Sequence, residues 1–185
     1  MTEFLINLDG SVLLWLQNNL RNEILTPFFQ AVTWLGDKGK IWILVTIVLL
    51  ISKKTRSIGI MSAFALIFAS VFNNIILKGF FDRTRPYDVV EGLTSVIGSM
   101  KSSSFPSGHT SSSFAAATVL FHGLPRRYGI LFMVLAALIA FSRMYLGVHY
   151  PSDVAVGALT GIASGLAVIF LYNKISGIPW KKKTE

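Results

Sequence analysis

Three polar clusters interrupt an otherwise apolar chain. Lys78, Arg85 and Pro86 form the first, Pro106-Ser107-Gly108-His109 the second, and Ser142-Arg143 with His149 and Asp153 the third. Together they supply what a pocket for a phosphate oxyanion requires. Arg85 and Arg143 would hold phosphate oxygens through planar, two-pronged hydrogen bonds, and Lys78 would add a point charge. A helix opening at Ser107 and Gly108 would aim backbone N–H groups at the anion, with glycine allowing close approach. Such a site favours a phosphoryl group that gains charge during transfer. Two histidines permit a division of labour. If neutral His149 attacks phosphorus, Asp153 is placed to hold its other ring nitrogen, because Pro151 starts a helix and Asp153 reaches back one turn. His109 would then protonate the leaving oxygen and afterwards activate water.

Taken singly, each cluster has an ordinary structural reading. Lys78 and Arg85 would snorkel from a helix end to headgroups, Ser107 would cap a helix, and Asp153 would be a favourable first-turn charge. Arg143 is harder to dismiss, since an arginine inside an apolar stretch faces a partner, a polar cavity or the nearby interface. His122 reads as a hydrogen-bonded residue at a helix end.

The elements that must position these groups are membrane helices. The chain has 185 residues, 52% of them hydrophobic and 14% charged, more apolar surface than a small soluble core needs. Ser57 to Leu77, Tyr128 to Val148 and Val154 to Asn173 are each about 20 residues, roughly 30 Å as helix. Ile41 to Ser52 and Ser107 to Phe121 are shorter and would span with their flanks. The expectation is an all-α polytopic bundle of five spanning helices, or six if Phe4 to Leu35 contributes one. Phe4, Leu5, Leu8, Val12, Trp15, Leu16 and Leu20 recur at helical spacing, as in an N-terminal amphipathic helix lying in the interface or packing on the bundle. One domain, 1–185, is expected, with interfacial or re-entrant helices over 1–35 and the chemistry within 78–153.

The net charge of +8 is a topology signal. Lys53, Lys54, Arg56, Arg126, Arg127 and Lys181 to Lys183 sit at alternate ends of the apolar stretches, as cytoplasmic loops do. No nucleic-acid partner is expected, and the three clusters fall together on the extracytoplasmic side. The chain contains no cysteine, which excludes thiolate nucleophiles, disulfides and cysteine metal sites. Gly157, Gly161 and Gly165 would support helix packing within one chain or between two, leaving the oligomeric state open. Asn73 and Asn74 read as bridges between helices rather than substrate contacts.

Lys78-Gly-Phe-Phe-Asp-Arg-Thr-Arg85-Pro86, Pro106-Ser107-Gly108-His109 and Ser142-Arg143-Met-Tyr-Leu-Gly-Val-His149-Tyr-Pro-Ser-Asp153 resemble, in order and spacing, the three-part signature of the type 2 phosphatidic acid phosphatase family. The resemblance implies a multi-pass cell-membrane phosphatase without cofactor or metal, with a phosphorylated lipid as its partner. It implies His149 as nucleophile oriented by Asp153, His109 as general acid, and Lys78, Arg85, Ser107, Gly108 and Arg143 as phosphate-binding residues. Short members point to undecaprenyl diphosphate and cell-wall biogenesis, with phosphatidylglycerophosphate and phosphatidic acid as alternatives. Two readings of other classes are a vanadate-dependent haloperoxidase and a non-catalytic lipid carrier. The apolar helices oppose the first, and retention of His109, His149 and Asp153 opposes the second.

Overall fold

The computed structural model describes residues 2–176, without the side chains of 2–6, 74 and 75. Lys181 to Lys183 and the side chains of Phe4, Leu5 and Asn74 therefore lie outside the described residues. Every regular element in this range is helical. Helices α1 (Thr2–Leu20) and α2 (Leu25–Gly36) precede a tight turn, Asp37–Gly39, and α3 (Lys40–Ile51). Helix α4 (Arg56–Val71) continues through a π-helical segment, Phe72–Leu77, into a short last turn, α5 (Lys78–Phe80). After the four-residue α6 (Pro86–Val89) and a long loop come α7 (Gly108–Gly123), α8 (Arg126–Tyr145) and α9 (Pro151–Ser176).

Helix α7 is the hub, packed against α4, α8 and α9. Its small residues make this possible: Ser111, Ser113, Ala115, Ala116 and Ala117 are all buried and let neighbours approach on every side. Its hydroxyls tie helices together. Trp42 Nε1 donates to Ser113 Oγ at 2.8 Å, and Asn73 Nδ2 donates to Ser111 Oγ while Asn73 Oδ1 accepts from Thr160. Asn73 thus bridges α7 and α9 from the start of the π segment, a local widening of the kind that re-aims a helix at a functional position. Lys78 follows directly.

Gly157, Gly161 and Gly165 all face α7. A Cβ at Gly157 would stand 2.8 Å from the Ser107 carbonyl oxygen, one at Gly165 2.9 Å from that of Ala115, and one at Gly161 would run into the carbonyl of Ser111. The glycine row is therefore used within the chain.

A helix covers each of the five apolar stretches. Only α8 and α9 are by themselves both long and apolar enough to cross a membrane, because α3 and α7 stop at 12 and 16 residues and α4 reaches its full extent only with the π segment. The outer surface is apolar: Ile47, Val48, Phe64, Ile67, Leu131, Leu159 and Phe170 are all about half exposed or more. Arg85, Arg143, His149 and Asp153 are buried inside. Polar groups within and apolar side chains without is the arrangement suited to a lipid solvent. Following the chain, the basic residues at 53–56 and 126–127 fall at the end of the bundle opposite the three clusters. In α1, Leu13 and Leu16 pack with Leu93 and Tyr150, whereas Leu8, Val12 and Trp15 point outward. Both faces of this helix are apolar, one for the bundle and one for its surroundings.

Gly161→Ala is expected to lower stability by roughly 1–3 kcal/mol, the usual penalty for overpacking. A fall in the thermal midpoint in detergent checks this, and an unchanged midpoint would mean that α9 can move off α7 freely.

Candidate active site

The clusters meet where α4 ends and α7, α8 and α9 begin or end. His149 lies in the link between α8 and α9, where Gly147 turns the chain at φ 76° and the amides of Val148 and His149 both bond to Arg143 O. A Cβ at Gly147 would come within 2.6 Å of the Thr94 carbonyl oxygen, so glycine is required both by space and by backbone angle.

His149 is held from both sides. Arg85 Nη1 lies 3.1 Å from His149 Nε2 and 2.7 Å from Val148 O, and Arg85 Nε and Nη2 donate to Ser102. Arginine can only donate, so Nε2 is the acceptor and the neutral ring carries its proton on Nδ1. That proton faces Asp153, whose Oδ2 is 3.5 Å away. This separation is too long for a good hydrogen bond, and Nδ1 has no hydrogen-bond partner among the described residues. The contact is therefore that of a carboxylate facing the N–H dipole of a neutral ring.

Asp153 is fully buried and saturated. Its Oδ2 accepts from Tyr150 N at 2.9 Å and from Ser104 Oγ, and its Oδ1 accepts from Arg83 Nη1 at 2.6 Å. The bond to Tyr150 N is the expected reach from the first turn of α9 back to the residue before Pro151. Arg83 also donates to Asp9 Oδ2 at 2.9 Å and lies over the Tyr150 ring at 3.8 Å. Asp9 in turn accepts from Ser152. Neither Arg83 nor Asp9 was singled out from the sequence. Asp9 offered a signal, an acid amid the apolar residues of α1.

Arg143 is 1% exposed. Its Nη1 donates to Thr33 Oγ1 at 2.6 Å and its Nη2 to Met100 Sδ at 3.6 Å, while its Nε has no partner among the described residues. No carboxylate among those residues lies within ion-pair distance of Lys78, Arg85 or Arg143. Buried cations without counter-charge are costly, and the cost falls when an anion binds.

Lys78, Arg85, Gly108, His109, Arg143 and His149 line one cavity of about 770 Å³, Asn73 among its other walls. His109 Nε2 bonds to Asp37 Oδ1 at 2.8 Å. Ser107 is placed differently: its hydroxyl accepts from Thr110 N and Oγ1 as the N-cap of α7, and its N–H goes to Asp153 O. Ser107 thus ties the second cluster to the third rather than forming the cavity wall. His122 Nδ1 lies 2.9 Å from the Thr118 carbonyl, one turn back in its own helix. Among the described residues no three His, Asp or Glu side chains gather as a metal ion would need.

A helical bundle that buries a histidine beside cations with no carboxylate partner among the described residues, all on the wall of one cavity, has the electrostatics of an anion site. Residues 59–176 match the PAP2 superfamily, and the chain belongs to that family. It is 36% identical to the undecaprenyl-diphosphatase of Sulfolobus acidocaldarius over 65% of this chain and 58% of that protein. The chain thus spans less than two thirds of that relative's length. It is 28% identical to a lipid A 4'-phosphatase of Bacteroides thetaiotaomicron over 95% of this chain and 82% of that one. The crystal structure of Aquifex aeolicus LpxE superposes with a TM-score of 0.77 at 33% identity, covering 86% of this chain and 93% of that one.

Burial holds the His149 ring well below the ordinary histidine range, at about 3, with Asp153 pulling the other way and Arg143 and Arg85 reinforcing burial. In the unfolded chain the ring would titrate near 6.5. The native state refuses a proton that the unfolded state accepts, so the stability contributed by the neutral ring is full above about 6.5 and is lost as pH falls toward 3. His149→Gln is expected to remove roughly 2 kcal/mol of the loss between pH 7 and 5. Denaturation midpoints of both proteins at the two pH values check this, and parallel slopes would contradict it.

Proposed function

We propose that this protein is an integral-membrane lipid phosphatase that removes a terminal phosphate through a phosphohistidine on the extracytoplasmic side, without a metal. The observation that carries the reading is the set of three cations with no carboxylate partner among the described residues, Lys78, Arg85 and Arg143, on the cavity wall with His149, whose Nε2 accepts from Arg85 itself. In water-poor surroundings such a set favours an anion, and favours most the charge that builds on a phosphoryl group in transfer. Arg85 and Arg143 hold two phosphate oxygens, Lys78 a third, and the opening amides of α7 at Gly108 and His109 complete the cradle.

His149 Nε2 attacks phosphorus while its Nδ1–H stays directed at Asp153, which stabilises the positive ring as the N–P bond forms. His109 supplies a proton to the departing oxygen and later takes one from the water that cleaves the N–P bond.

The cavity supports a lipid substrate. Below the polar head its walls are Ile43, Ile47 and Leu50 of α3 and Leu66 and Ile67 of α4, and Ile43, Ile47 and Ile67 also face the outer surface. A phosphorylated headgroup in the site would leave its chain along this furrow and continuous with the bilayer. Undecaprenyl diphosphate is the substrate we favour, supported by similarity to an undecaprenyl-diphosphatase. Similarity over a greater length to a lipid A 4'-phosphatase supports a second reading, a phosphate on a glycolipid, and phosphatidylglycerophosphate and phosphatidic acid complete the set to be compared.

The test is phosphate release by detergent-purified protein in excess EDTA from these four lipids side by side. We expect EDTA-resistant release, fastest from undecaprenyl diphosphate and abolished in His149→Ala. No release from any lipid by folded protein would overturn the reading. Independently, vanadate is expected to raise the thermal midpoint of the native protein and not that of Arg143→Met. Without an anion that variant should be as stable as the parent or more so, since it removes an uncompensated buried charge.

A further inference from the structure

The edge of the His109 ring formed by Cδ2 and Nε2 faces the turn between α2 and α3. Gly36, the last residue of α2, is buried there: a Cβ on it would stand 3.1 Å from His109 Cδ2 and 2.7 Å from Ile139 Cγ2. The chain then reverses through Lys38 at φ 51° and Gly39 at φ 72°. A lysine with positive φ is uncommon, and left-handed backbone costs roughly 1–2 kcal/mol in a residue with a Cβ. The turn brings the Asp37 carboxylate to His109, with Oδ1 2.8 Å from Nε2, while Oδ2 lies 3.8 Å from the half-exposed Lys40 ammonium. A carboxylate only accepts, so Nε2 carries a proton and Nδ1 is the ring nitrogen left for chemistry. The charged groups facing His109 are Asp37 from this turn, Arg143 from α8 and Lys78 from the end of the α4 run. A positive ring is thus opposed by two cations and favoured by one carboxylate.

We propose that Asp37 is the positioning residue for His109, fixing its tautomer and offsetting the two cations, so that Nδ1 delivers and recovers the proton of the reaction. The inference rests on the phosphatase reading above. In the first step the His109 ring acts as an imidazolium, its Nε2–H held by Asp37 and a second proton taken up on Nδ1 as the bound phosphate offsets Arg143 and Lys78. The His149 Nε2–P bond forms, the bond from phosphorus to the leaving oxygen breaks, and that Nδ1 proton passes to the oxygen. In the second step Nδ1 takes a proton from water as its oxygen bonds to phosphorus and the N–P bond breaks. The site then holds two histidine–carboxylate pairs, His149 with Asp153 for attack and His109 with Asp37 for proton transfer, built on separate elements.

The experiment compares the first turnover of two substrates with the same hydrocarbon chain, the phosphate of a long-chain alcohol and the phosphate of a nitrophenol carrying that chain. The alkoxide needs a proton to leave and the nitrophenolate does not. Asp37→Asn, which lets an amide donate to Nε2 in place of the carboxylate, should slow the first turnover of the alkyl phosphate by roughly 10- to 100-fold. The nitrophenyl ester should change by no more than about threefold, since its departure needs no acid. In a His109→Ala background Asp37→Asn should add no further loss, as for residues that act as one unit. Gly36→Ala, which keeps both side chains and pushes the turn off the ring, should show the same selective loss and stands in if Asp37→Asn does not fold. Equal losses on both substrates, or an added loss in the double variant, would overturn the role of Asp37 and leave the phosphatase reading intact. Absence of turnover of both substrates by the parent protein would overturn the phosphatase reading and this proposal with it.

Discussion

The structure depends on how closely α9 lies against α7. With glycine at 157, 161 and 165, the carbonyls of Ser107, Ser111 and Ala115 come almost to the α9 backbone, a spacing that any side chain would forbid. That approach lets Ser107 N reach Asp153 O at 3.1 Å, which locks the helix that carries His109 in its first turn to the helix that starts just after His149. The distance between the two histidines is thus set by backbone contacts rather than by flexible side chains, the more rigid way to hold a site.

On this frame the charges are distributed unevenly. Asp153 is surrounded by donors from Tyr150, Ser104 and Arg83, and Arg83 is itself neutralised by Asp9. The cations on the cavity wall have no such partners, and Arg143 is held by a threonine hydroxyl and a thioether instead. Compensation on one side of His149 and its absence on the other give the region a direction. Negative charge is satisfied behind the ring and wanted in front of it.

Much of this was legible in the chain because the signals were local. The apolar stretches marked the helices, Pro86 and Pro151 marked helix starts, and alternation of helix direction sufficed to gather Lys78, Arg85, His109, Arg143 and His149 at one end. The supporting residues were not legible for the same reason. Asp37 meets His109 from 72 residues away and Asp9 meets Arg83 from 74, contacts made by tertiary packing of α1 and α2 that no periodicity encodes. The expected spans were only partly matched, because α4 attains its length through a π segment and α3 and α7 fall short alone. Ser107 shows a third limit: a serine opening a helix serves equally as cap or as ligand, and the side chain here is turned into the cap.

The hydrogen bond from Arg85 Nη1 to His149 Nε2 covers the lone pair with which His149 would attack. The guanidinium masks the nitrogen, and only a molecule able to draw it onto itself exposes it. An anion does so through charge-assisted, two-pronged hydrogen bonds, whereas a neutral electrophile such as a carboxylic ester offers the arginine only a weak neutral acceptor and an alkyl halide almost none. The residue proposed to bind phosphate would thereby shield the ring from adventitious modification, so chemical selectivity at this site would begin before any bond to phosphorus is made.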